Sequence, residues 1–204
     1  MRIGVMGAGA IGSLFGGLLA ESGLDVTLVT RRVEHVDAVN RGGLRLKGVS
    51  GERTVRVRAT TSPWEAGPKD LVILAVKSYD TEGALRDMLP MLGQHTTAVT
   101  IQNGLGNVEK MASAIGSERV LGGCTAHGAT YLAPGEIRHA GRGPTTIGEL
   151  DGTVTERVQR VAEAFTGAGI ETSVTRNIRG AVWGKLLVNM GINPLTAATG
   201  LRNG

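Results

Sequence analysis

Aromatic residues are scarce in this chain, with two each of Phe, Trp and Tyr making up 3% of the sequence. Binders of single-stranded nucleic acid stack bases on aromatic rings, so that class of partner loses its usual platform. A continuous basic run is also missing. The formal charge of +4 comes from dispersed residues, and the densest stretch, 41–58, alternates Arg56 and Arg58 with Val55 and Val57. That alternation is the mark of a half-exposed strand, so no nucleic-acid partner is expected. Cys124 is the only cysteine, which excludes an intrachain disulfide and a cysteine metal cluster and fits a reduced, cytoplasmic setting. Cys124 itself reads as a small buried hydrophobe beside a strand. Internal repeats and low-complexity linkers are absent. Arg2 is followed by eighteen uncharged residues, which superficially resembles a signal peptide or membrane span. Six of the eighteen are glycines, so the stretch reads as strand, turn and helix, with no membrane partner and no metal site.

Glycine is what the chain has in excess: 32 of 204 residues, about twice the usual share of ~7%. The glycines follow no G-X-Y period and punctuate apolar runs, as tight strand-to-helix turns require. A hydrophobic content of 41% supplies a mostly aliphatic core. The length suits one large domain, or one domain and part of a second.

The most specific turn lies at the start. An apolar strand, residues 2–6, runs into Gly7-Ala8-Gly9-Ala10-Ile11-Gly12 and then into an apolar helix over 11–22. This is G-x-G-x-x-G with a strand before it and a helix opening inside it. Gly7 allows the tight turn, Gly9 has no Cβ to hold a pyrophosphate away, and Gly12 lets helix and strand pack closely. The helix N-terminus offers unpaired N–H groups and a positive dipole end to phosphates. A dinucleotide site is therefore expected.

Strands and helices alternate along the rest of the chain, which predicts an α/β fold with a mainly parallel, doubly wound sheet of Rossmann type. Strands are expected at 25–30, 71–76, 97–101, 119–130, 135–140, 145–149 and 170–174, and a hairpin at 44–47 and 53–58. Helices are expected at 81–92, 107–115 and 153–167. The tail from Ile178 reads as a long helix interrupted or kinked at Pro194, whose ring removes the bond to the carbonyl of Met190.

In such sheets ligands bind outside the carboxyl ends of the strands. Besides the glycines, that rule gathers Arg31 and Arg32 after the second strand, Lys77 after the strand 71–76, and Gln102-Asn103-Gly104 after Ile101. The second strand carries no terminal carboxylate for a ribose 2′-hydroxyl. A guanidinium there can pair a 2′-phosphate in bidentate fashion, so NADPH/NADP is expected over NADH. On the tail, Lys185, Asn189 and Asn193 recur at i, i+4 and i+8 and share one helix face. An ammonium and two amides suit a substrate bearing carboxylate and carbonyl oxygens.

These motifs together resemble the ketopantoate reductase (2-dehydropantoate 2-reductase) family. The resemblance runs over essentially the whole chain and rests on the glycine turn, Arg31, Val76-Lys77, Gln102-Asn103-Gly104-Leu105-Gly106, and Trp183-x-Lys185-Leu-x-x-Asn189-x-x-x-Asn193-Pro194-Leu195-Thr196. It implies NADPH-dependent reduction of ketopantoate to pantoate in pantothenate biosynthesis, with Lys185 donating a proton to the C2 oxygen. It places Lys77 and Asn103 between nicotinamide and substrate, Ala129 along the cofactor, and Asn189, Asn193 and Asn203 on the substrate. Family members are longer, with a helical second domain supplying a serine and an acidic residue. The expected organisation is thus a cofactor domain over 1–175 and the first helix of an incomplete helical domain over 176–204. Apolar surface left on that helix points to association, in the form of a homodimer through the helical part. Two other functions stay open: a reductase of another 2-keto or β-hydroxy acid, and an NADP(H)-binding fragment or sensor module without turnover.

Overall fold

The structure, a computed structural model, describes residues 1–200. In chain order the elements are β1 (Arg2–Met6), α1 (Ala10–Glu21), β2 (Asp25–Val29), α2 (Val33–Gly42), β3 (Leu44–Gly48), β4 (Arg53–Val55), β5 (Arg58–Thr60), α3 (Pro63–Ala66), β6 (Lys69–Leu74), α4 (Thr81–Asp87), β7 (Leu92–Thr100), α5 (Asn107–Ile115), β8 (Val120–Thr125), β9 (Gly128–Ala133), β10 (Glu136–Gly141), β11 (Thr145–Glu149), α6 (Glu156–Gly167), β12 (Thr172–Val174) and α7 (Ile178–Thr199).

Eight strands form the main sheet in the order β12-β11-β8-β7-β6-β1-β2-β5. Neighbours are parallel from β8 through to β5, and β11 runs antiparallel to β8. From β1 the chain winds outward through β2 to β5, then crosses back to β6 and winds the other way. The switch point therefore lies between β1 and β6, where a crevice opens at the carboxyl ends. This is the doubly wound architecture that the alternating pattern predicts.

Residue alternation explains why both faces must be covered. On β6, Leu71 and Ile73 belong to one core, with α1, α2 and α6. Val72 and Leu74 belong to the other, beneath α3, α4 and α5. A strand buried on two sides reads as a continuous aliphatic run. Each fully buried Leu or Ile contributes roughly 1.5–3 kcal/mol relative to exposure.

A second sheet, β4-β3-β10-β9, lies over α1 on the side away from the main sheet. Two glycines thin α1 for this. A Cβ on Gly16 would collide with Leu28 of β2, and one on Gly17 would stand 2.9 Å from Leu44 of β3. The expected hairpin at 44–58 is only half of this arrangement. β3 and β4 pair antiparallel, but the run 53–58 divides after Val55, and β5 joins the main sheet beside β2. Helix α2, which the sequence reading leaves out, packs Val36 and Val39 on the core. Helix α7 continues through Pro194 as far as Thr199, so the proline does not end it.

Candidate active site

A cleft of about 990 Å³ occupies the switch point. Its walls include Gly7, Gly9, Ala10 and Ile11 of the glycine turn, Arg31 and Arg32 after β2, and Lys77 after β6. Gln102 and Asn103 after β7, Ala129 and Tyr131 of β9, and Lys185 and Asn189 of α7 complete them. Four strand ends and one distant helix thus converge on one space.

The glycine turn is fixed by its own backbone. Gly7 has φ +100°, a conformation that glycine adopts without strain, and the N–H groups of Gly7 and Ala8 both donate to the carbonyl of Val29, at 2.9 and 3.0 Å. A Cβ on Gly12 would run into the carbonyl oxygen of Gly7, so helix and strand meet at the distance glycine permits. A Cβ on Gly9 would meet no protein atom within 4 Å; it would project into the cleft. The first turn of α1 has neither a capping side chain nor an acidic residue. Its unpaired N–H groups and positive dipole end therefore remain for an anion, which fits the pyrophosphate of a dinucleotide. Ala8 and Gly12 are buried, Ala8 with its methyl in the apolar core.

The two arginines are held differently. Arg31 lies 3.6 Å from the carboxylate of Asp80, just before α4. The Arg32 guanidinium lies over the ring of Tyr131, 4.6 Å from its centroid.

Lys77 corrects one expectation. β6 stops at Leu74, so Ala75 and Val76 intervene, and Lys77 is exposed in the following loop. It borders the cleft from a loop, because the strand is shorter than expected. A hydrogen-bond network sets that loop and the Asn103 turn. The buried Gln102 side chain donates to the carbonyl of Val76 at 2.8 Å and to the Thr81 hydroxyl at 2.9 Å, and accepts from Thr100 at 3.0 Å. Thr81 donates to Asn107 Oδ1 at 3.1 Å, and Asn107 Nδ2 donates to the carbonyl of Asn103 at 3.1 Å. The loop between β6 and α4 and the loop between β7 and α5 are thus pinned together beside the cleft. Gln102 directly precedes Asn103 in the sequence, but nothing in the sequence shows its partners.

Helix α7 reaches the cleft because its first turn is anchored. Asn177 accepts from the N–H of Gly180 at 2.9 Å, a side-chain cap. Ile178 sits over β8 and β11, where a Cβ on Gly122 would come within 2.8 Å of it and one on Gly148 within 3.1 Å. Strand glycines here mark a close approach. Two turns on, Lys185 and Asn189 face the cleft. Cys124, half-buried on β8, feels the Lys185 ammonium. Burial pushes its thiol up and the lysine opposes this more weakly. Asn193 is exposed and does not line the cleft, while Asn203 lies outside the described residues.

A cleft-wall histidine and the buried histidines behind it carry no sequence signal. His127 lines the cleft, packs edge-on against Phe15 and bonds through Nδ1 to Nε2 of His139 at 3.0 Å. His35 is wholly buried on α2, behind Tyr131. Among the described residues no group of three or more His, Cys, Asp or Glu could hold a metal ion, and no helix is long and apolar enough to cross a membrane.

Residues 3–152 match the family model described as ketopantoate reductase PanE/ApbA. The 2-dehydropantoate 2-reductase of Halobacterium salinarum is 44% identical over 208 residues, taking in all of this chain and 67% of the relative. The crystal structure of 2-dehydropantoate 2-reductase from Geobacter metallireducens superposes with a TM-score of 0.91 at 35% identity, covering 97% of this chain and 65% of that one. The ternary structure of D-mandelate dehydrogenase with NADH and anilino(oxo)acetate superposes with a TM-score of 0.89 at 26% identity, covering 96% and 63%. The chain thus spans about two thirds of the length of the proteins it matches. With the family model over most of the chain, a relative 44% identical over all of it and the fold of these solved structures, this chain belongs to the ketopantoate reductase PanE/ApbA family.

Proposed function

We propose that the cleft binds NADPH and that the chain takes part in reducing 2-dehydropantoate to pantoate, a step in pantothenate and coenzyme A biosynthesis. The observation that carries this reading is the meeting of Lys185 and Asn189 with the glycine turn, Lys77 and Asn103 around one cleft. When bound, NADPH supplies a hydride to C2 of the keto acid. The first turn of α1 would hold the pyrophosphate, Arg31 would pair the 2′-phosphate, and Ala129 would border the dinucleotide. Ketone reduction builds negative charge on oxygen. The Lys185 ammonium stabilises that charge and passes a proton to the C2 oxygen. Asn189 would donate to the substrate's oxygens, and Lys77 and Asn103 would orient it against the nicotinamide. Residues 1–175 form the cofactor domain, and 176–204 begin the substrate-binding helical part.

A second reading takes another 2-keto acid with NADH. The likeness to D-mandelate dehydrogenase and the carboxylate of Asp80 beside Arg31 favour it. Fluorescence titration with NADPH and NADH, followed by an assay of ketopantoate-dependent NADPH oxidation, separates the two. The first reading expects tighter NADPH binding; equal affinities favour the second. Lys185→Ala should lower turnover about a hundredfold or more and leave cofactor affinity within about twofold. Unchanged turnover removes Lys185 as the acid. Cofactor binding without turnover in the parent chain assigns it binding alone.

A further inference from the structure

We propose that Arg32, held over the ring of Tyr131, is a second ligand for the 2′-phosphate of the bound dinucleotide, with Tyr131 as its positioning residue; this rests on the NADPH reading above. Both arginines after β2 border the cleft, but Arg31 already has a carboxylate, Asp80, 3.6 Å away. The guanidinium of Arg32 has no ion pair and no side-chain hydrogen bond among the described residues. Its one contact of note is the Tyr131 ring, 4.6 Å from its carbon. Stacking engages the face of a guanidinium and leaves the in-plane N–H fork free. That fork is the part that matches a phosphate in bidentate fashion. An exposed arginine otherwise gives up rotamer freedom when it binds; the ring restricts Arg32 beforehand.

Tyr131 is itself held from behind. Its ring lies 5.2 Å from that of His35, centroid to centroid. The N–H of Gly135 donates to His35 Nδ1 at 3.0 Å, which leaves the ring proton on Nε2. Nε2 then donates to Ser13 Oγ at 3.1 Å, and the Ser13 hydroxyl donates to the carbonyl of Ala8 at 3.1 Å. The support for Arg32 therefore ends inside the glycine turn. The pyrophosphate cradle and the 2′-phosphate grip are built on one continuous set of contacts.

The test is a pair of dissociation constants, for NADPH and for NADH, measured by fluorescence titration at one fixed ionic strength. Unfolding midpoints confirm that each variant is folded. Arg32→Ala should weaken NADPH binding about tenfold and leave NADH within about twofold. Tyr131→Phe, which keeps the ring, should bind both cofactors like the parent. Tyr131→Leu should weaken NADPH about threefold, and in an Arg32→Ala background it should add nothing further. A merely structural role would weaken both cofactors alike, and that result overturns the proposal. So does an NADPH preference left intact in Arg32→Ala, which would leave the NADPH reading standing. A parent chain that binds both cofactors equally overturns that reading and this inference with it.

Discussion

A methyl group added at Gly9 would meet no protein atom within 4 Å, whereas one added at Gly12 would run into the carbonyl oxygen of Gly7 and stand 3.2 Å from the Cβ of Ala75. Gly9 has φ −81°, open to any residue, so its lack of a side chain serves the ligand and not the fold. Gly9→Ala should unfold within about 0.5 kcal/mol of the parent and bind NADPH about tenfold more weakly. Gly12→Ala should lose about 1–3 kcal/mol and lose binding as well, because backbone and not a flexible side-chain end blocks the new carbon. Urea unfolding and cofactor titration check both variants; a Gly9→Ala chain that binds normally would place the pyrophosphate elsewhere. These glycines were legible in the sequence because the constraint is local: spacing, a strand before and a helix after. The stacking of Arg32 on Tyr131 was not. Arg32 follows β2 and Tyr131 lies on β9, and only the small sheet folded over α1 brings them together.

Elements were legible where one physical signal dominated. Helix α5 and strand β11 fall where periodicity puts them, and β6 shows the aliphatic run of a strand buried on both faces. The signal failed where two sheets share one stretch of chain. Residues 54–58 alternate polar and apolar without interruption, and nothing local shows that β4 pairs with β3 while β5 crosses to β2. It also failed to show how α6 is tied to the sheet. Glu149, at the end of β11, is only 4% exposed, and it accepts hydrogen bonds from both Arg157 and Thr155, with Arg157 Nε at 2.8 Å. Thr155 is the cap of α6 and accepts from the N–H of Val158 at 3.4 Å. Removing the guanidinium strands a buried carboxylate. Arg157→Ala should therefore destabilise by about 3 kcal/mol, read from urea unfolding. Arg160→Ala is the control on the same helix, since its partner Glu156 is exposed and such pairs contribute about 0.3–0.5 kcal/mol. Equal losses in the two variants would mean that Glu149 finds water or another donor.

For the whole molecule, the alternation of strands and helices was enough to foresee a doubly wound sheet, but the small sheet rests on β3 pairing with β10, a contact between distant segments with no local pattern. Three buried histidines lie where that sheet meets the rest. His35 on α2 takes the N–H of Gly135 from the β9–β10 turn, while His127 and His139 share one hydrogen bond across that hairpin, beside Phe15 of α1. Burial lowers the pKa of all three, first and foremost. Arg32 adds to this at His35, His139 and Arg142 at His127, and Arg142 and Arg53 at His139, where a bond with the Gly141 backbone opposes the shift. The folded chain thus resists protons that the unfolded chain takes up near the ordinary value of about 6.5. The sign follows: the stabilisation is complete above that pH and is lost as pH falls below it, through the lowered folded-state values. Each histidine that stays neutral in the fold and protonates on unfolding contributes a slope of about 1.4 kcal/mol per pH unit. Urea unfolding midpoints should accordingly hold steady from about pH 8 to 7 and fall between about 6.5 and 5, a window above the range in which carboxylates titrate. His35→Gln keeps a donor for Ser13 and cannot protonate, so it should flatten the fall by about one proton's slope. A midpoint that stays level down to pH 5 would mean that the three rings are solvated or already charged. The two sheets would then be joined by their apolar contacts across α1 alone.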